Sequence, residues 1–125
     1  MATKSATLRL DLRHVDDVGA EAAQKLVESL VLSGYKAHRV ERIDLAAAAS
    51  DRAISIGDAL AVVVFSHDYA FRIRVASGET LTGPIRAFVV FGYSTAAAAL
   101  TADLLLTGNG SNVADVEVWV IDKPA

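Results

Sequence analysis

Ser66-His67-Asp68-Tyr69 is the densest run of reactive side chains in this sequence. Serine, histidine and aspartate supply the nucleophile, base and orienting acid of many hydrolases. Their adjacency works against that use. Neighbours on a strand point to opposite faces, and such triads assemble from distant segments. The G-x-S-x-G turn that presents a nucleophilic serine does not occur. The four residues therefore read first as a turn or strand edge, where Ser and Asp close local hydrogen bonds. His14 follows an alternating segment and precedes Asp16 and Asp17. That places it at the carboxyl end of a strand, where α/β proteins often bind ligands. Ser94 and Thr95 open a predicted helix whose free N–H groups could hold an anion, although N-capping by Ser94 accounts for the same residues. A sheet-edge pocket built from His14, His67, Asp68, Ser94 and Thr95 is the enzymatic or ligand-binding alternative for this chain.

Metal and nucleotide chemistry find no motif. The three histidines, His14, His38 and His67, share no ligand spacing, and there is no cysteine. Gly108-Asn109-Gly110 follows a predicted helix, lacks a third glycine and lacks the Lys-Ser/Thr of a phosphate loop. No metal and no cofactor is expected.

A second group of residues suggests contact in place of catalysis. Phe71-Arg72-Ile73-Arg74-Val75 alternates strictly, so Arg72 and Arg74 belong to one face of a strand, where Arg9 and Arg13 can join them. If Val116, Val118 and Val120 face a core, Trp119 projects to the opposite side. Trp and Arg are enriched at interface hot spots. Arg72, Arg74 and Trp119 are therefore the interface candidates. Nucleic acid is disfavoured, because no aromatic accompanies the arginines on their face and the net charge is −3.

The elements that must position these residues follow from periodicity. Thr7–Arg13 alternates and reads as a strand. Asp16 or Asp17 would cap a helix to about Ser33, with Ala22, Ala23, Leu26, Val27 and Leu30 as its apolar stripe and Gly34 as its stop. Tyr35–Ile43 reads as a polar strand, and Leu45 to Asp51 as a short helix over four alanines. Residues 52–58 fit either a small strand or a packed loop. Leu60–Phe65 is apolar on both faces, and residues 60–76 form a hairpin or one long bent strand. Ile85–Phe91 is a central strand. Thr95 to about Leu106 is the second long helix, and Val116–Ile121 the last strand.

The order β-α-β-(α)-β-β-β-α-β predicts an α+β fold, a two-layer α/β sandwich with both long helices on one face of a mixed sheet. An elaborated ferredoxin-like core fits this order. With 125 residues, 53% of them apolar, the chain reads as one globular domain, residues 1–125. It shows no secretory signal pattern and no apolar run long enough for a membrane helix, so a soluble, cytoplasmic protein with no membrane partner is expected. The preferred function is a non-enzymatic protein-interaction or assembly module. Its partner would be another protein or a second copy, giving a homodimer through an open sheet face.

Overall fold

The computed structural model describes residues 4–19, 21–35, 37–45, 52–75, 82–92, 100–110 and 112–123. It contains ten strands and, among the described residues, no helix. The expectation of an α+β, alpha-beta sandwich is overturned: the fold is all-β, with three antiparallel sheets.

Two of the sheets form a sandwich. One has the order β3 (His38–Leu45), β10 (Val113–Asp122), β5 (Ala59–Ser66), β8 (Ala87–Phe91). The other has the order β4 (Arg52–Ile54), β9 (Leu104–Gly108), β6 (Phe71–Val75), β7 (Thr82–Ile85). The core lies between them. Ile43, Leu45, Val62, Val64, Val113, Val116, Val118 and Val120 come from the first sheet, and Ile54, Phe71, Ile73, Leu104 and Leu106 from the second. Alternation along each strand sends every second side chain into this layer, as in other sandwiches. The first sheet is called the outer-patch sheet below, for what its other face carries.

The chain changes sheet at almost every connection. β5 and β6 belong to different sheets, so the described part of residues 60–76, up to Val75, forms neither a paired hairpin nor one bent strand. It forms an arch that carries the chain from one layer to the other. Residues 52–54 are strand β4, and 55–58 are irregular.

The third sheet is a long hairpin, β1 (Ser5–Val15) paired with β2 (Glu21–Ser33). β1 is the strand expected over Thr7–Arg13, whereas β2 occupies the segment expected to be the first long helix. Leu8, Leu10 and Leu12 already demanded an apolar strand beside them, and Leu26, Leu30 and Leu32 supply one at a spacing of two and four. Leu8 pairs with Leu30 and Leu12 with Leu26 across the ribbon. Cross-strand packing of these pairs replaces the helical stripe. Asp16 accepts the backbone N–H of Val18 at 3.0 Å, and Gly19, at φ 87°, donates to the Asp16 carbonyl. The aspartate read as a helix cap is thus the first residue of the hairpin turn. Both roles use a side-chain oxygen to accept a nearby N–H.

The second expected helix fails for a tertiary reason. Its last residues, Leu104–Leu106, lie in β9, between β4 and β6, with Leu104 and Leu106 fully buried in the sandwich. The alanine-rich start at residues 95–99 lies outside the described residues, as does the short helix expected over Leu45–Asp51 except for Leu45, which ends β3.

One irregularity shapes β10. Val113 pairs with Leu45 and Val116 with Ile43, so two residues, Ala114 and Asp115, oppose Asp44 alone. Asp115 takes φ 58° in this bulge and donates its N–H to Asp44 Oδ1 at 3.1 Å.

Candidate functional site: the outer face of one sheet

The face of the outer-patch sheet turned away from the core is built in three rows. Strand pairing places His38, Ile121, Ala61 and Phe91 in the first row. Val40, Trp119, Val63 and Val89 form the second, and Arg42, Glu117, Phe65 and Ala87 the third. The first row is covered. The base of the hairpin sits on it, and Leu32 with Leu60, Ala61 and Ile121 makes a small second core flanked by Ala6, Tyr35 and Phe91.

The second row is not covered. Trp119 is 41% exposed, and Val40 and Val89 are exposed on either side of it. Between this row and the hairpin lies an open cleft of about 510 Å³. Ala6 and Leu8 line one wall, and Val63, Trp119, Phe91 and Ile121 the other.

The third row is polar and interlocked. Glu117, only 18% exposed, accepts His67 Nε2 at 2.7 Å on one carboxylate oxygen and the Trp119 indole N–H at 2.8 Å on the other. Arg42 bonds Asp115 at 2.7 Å and approaches Glu117 at 3.6 Å. Phe65 packs edge-on against His67, and the Arg86 guanidinium stands 5.8 Å over the Phe65 ring. Glu117 therefore fixes the rotamer of Trp119 from one side while the imidazole holds Glu117 from the other.

The hydrogen bond from His67, then that from Trp119, holds the Glu117 carboxyl below its ordinary value of 4.5. A lowered folded-state value means that this contribution is present above the unfolded value and is lost as pH falls through the folded one. Stability of the wild type is thus expected to decline below about pH 4.5 with a part that Glu117→Gln abolishes. Chemical denaturation of both proteins between pH 3 and 7, on the order of one curve per half unit, checks this. Parallel acid limbs would show that Glu117 is not part of it.

The residues singled out in the sequence are dispersed by this fold. Trp119 lies on the outer-patch sheet, whereas Arg72 and Arg74 lie on β6 of the opposite sheet, on the face away from the core. Arg9 and Arg13 are on the hairpin. The open face expected to combine them does not exist. His14 lies near the hairpin tip, in an open depression lined by hairpin residues alone, Leu12, Arg13, His14, Lys25 and Leu26. His67 and Asp68 lie in the arch after β5. The depression that His14 lines does not include His67, and Ser94 and Thr95 lie outside the described residues.

Nor does Ser66-His67-Asp68 act as a unit. The buried Ser66 hydroxyl donates to the Tyr69 carbonyl and accepts the Asp68 N–H, so it closes the arch. The Arg86 guanidinium donates to the Ser66 carbonyl. His67 turns to Glu117 instead of to Ser66. Among the described residues, no group of three His, Asp or Glu side chains could hold a metal ion. No helix of the described residues is long and apolar enough to cross a membrane.

Sequence reasoning missed Val40, Val63 and Val89, and with them the row that gives Trp119 its neighbours. A strand's facing residues are known only once its partners and register are known. No protein-family model, no curated protein and no solved structure matches this chain.

Proposed function

We propose that this protein is a non-enzymatic interaction or assembly module that self-associates through the outer face bearing Trp119. The observation that carries this reading is the exposed row Val40–Trp119–Val63–Val89, which runs across all four strands of one sheet. A large aromatic ring held rigid by its own hydrogen bond, within an apolar strip and beside a polar rim, has the anatomy of an interface centre. Leaving such a strip in water is unfavourable, and a second copy supplies a ready cover. Glu117, Arg42, His67 and Arg86 would form the polar border.

Sedimentation velocity over a concentration series tests the reading. A dimer of the 13.2 kDa chain is expected. Trp119→Ala is expected to weaken it by about 2 kcal/mol or more, the scale of an interface hot spot. A wild type that stays monomeric throughout the series sinks the proposal.

A further inference from the structure

The hairpin carries an unpartnered apolar face of its own, and its shape fits the uncovered row. Pairing across β1 and β2 puts Ala6 with Leu32, Leu8 with Leu30, Leu10 with Glu28 and Leu12 with Leu26 on one side of the ribbon. Ser5, Thr7, Arg9, Asp11 and Arg13 lie on the other side. The first rung is buried on the chain's own sheet. The later rungs run past it: Leu30 is 40%, Leu26 45% and Leu12 68% exposed. An isolated two-stranded ribbon is marginal in water, so this arm needs a cover on its leucine side.

We infer that two copies of this chain exchange arms, the leucine face of each hairpin lying across the Val40–Trp119–Val63–Val89 row of the other. This rests on the self-association proposed above and specifies its geometry. Three observations favour a second copy's arm as the occupant. The first rung of this same hairpin face already seats on the adjoining row of this same sheet face, so the contact would extend a seam that each chain makes with itself. The dimensions agree. Residues 8–13 of the arm span about 20 Å, and four strands span about 19 Å. The charges agree as well. Glu28 is the carboxylate on the leucine face, and Arg86 stands at the border of the row beside the interlocked Arg42, Asp115 and Glu117.

Area favours exchange over a one-sided contact. One strip of about 20 by 10 Å, buried on both surfaces, is about 400 Å², far below the roughly 1,000–1,200 Å² at which specific interfaces begin. Reciprocal contacts double it to about 800 Å², and the border residues bring it towards that lower bound.

A mixing experiment tests the geometry apart from the association. Leu12→Lys/Leu26→Lys disables the arm and leaves the sheet, and Trp119→Lys disables the sheet and leaves the arm. All three sites are substantially exposed, and thermal melts check that both variants fold. Leu12→Ala/Leu26→Ala, with milder loss, guards against an artefact of the added charge. By sedimentation equilibrium the wild type should be a dimer. Each variant alone should dissociate at least about 30-fold more easily, and an equimolar mixture, in which one intact arm meets one intact sheet, should associate more strongly than either variant alone and more weakly than the wild type. Emission from the chain's one tryptophan should shift to the blue as the wild type associates and not in the arm variant.

An arm variant that dimerises like wild type would mean that sheets pair with sheets, which overturns exchange and leaves self-association standing. A Trp119→Lys variant that dimerises like wild type would mean that arms pair with arms. A mixture that associates no more strongly than either variant alone, or a wild type that grows into open chains, also overturns exchange. A wild type monomeric at every concentration removes both proposals.

Discussion

Phe71→Ala is expected to cost about 3–5 kcal/mol, the range for deleting a buried aromatic side chain. Among the described residues Phe71 is the largest fully buried side chain, with no exposed surface, and it enters the sandwich from the first position of β6. Its backbone pairs with Gly108 on one side and Ile85 on the other, so the ring stands where three strands of one sheet meet the inner face of the other. The surrounding β-branched side chains are stiff and collapse poorly into a void. A cost of this size is a large part of the 5–15 kcal/mol or so by which ordinary domains are folded. Urea unfolding should show a lower midpoint at nearly unchanged slope. A loss under about 1 kcal/mol, below anything expected for such a site, would mean that the two sheets are not packed as described.

The second large effect should be local. Leu32 has no exposed surface and joins the hairpin to the outer face through Leu60, Ala61 and Ile121. Leu32→Ala should cost about 2–5 kcal/mol of that seam. Its signature differs from that of Phe71→Ala. The hairpin pairs with no other sheet, so the seam can open without breaking the sandwich. Hydrogen exchange should quicken in β1 and β2 while β5 and β10 keep their protection. Uniform acceleration over all strands would instead make hairpin and sandwich one cooperative unit.

Much of the strand content was legible, and the global fold was not. Leu8, Leu10 and Leu12, Phe71 to Val75, and Val116 to Ile121 alternate cleanly, and each is a strand. The apolar run at Leu60–Phe65 is a strand flanked by two others, but its outer face, read as covered, leaves Phe65 exposed. The segment before Gly34 was ambiguous in a specific way. Leu26 and Leu30 satisfy both a helical i, i+4 and a strand i, i+4 spacing, and alanines around them favour helix locally. Only the match of Leu26, Leu30 and Leu32 to the leucines of β1 separates the two, and that match is a long-range property. Leu104 and Leu106 tell the same story, because core burial between two strands outweighs helix propensity.

The site was legible by half. Alternation through β10 put Trp119 opposite the valines, on the outer face. Its neighbours were misassigned, since Arg72 shares its periodicity but not its sheet. A chain that crosses layers at nearly every connection defeats any inference that strands adjacent in sequence share a face. Ser66-His67-Asp68 shows the converse. Its side chains are real hydrogen-bonding partners, but for the arch and for Glu117.

The bulge at Ala114 and Asp115 bears on how this strand can change length. From Val116 to Ile121 the pairing is one to one on both sides, so gaining or losing a single residue there would exchange the inward valines with Glu117, Trp119 and Ile121. At the bulge three steps of chain already cover two steps of its neighbour. Removing one residue there would restore plain alternation, with Val113 and Val116 both still facing inward. It would at the same time dismantle the Asp115 anchor of Arg42. Related sequences that differ in length by one residue should therefore carry the difference at this point, and the polar border beside Trp119 should vary with it.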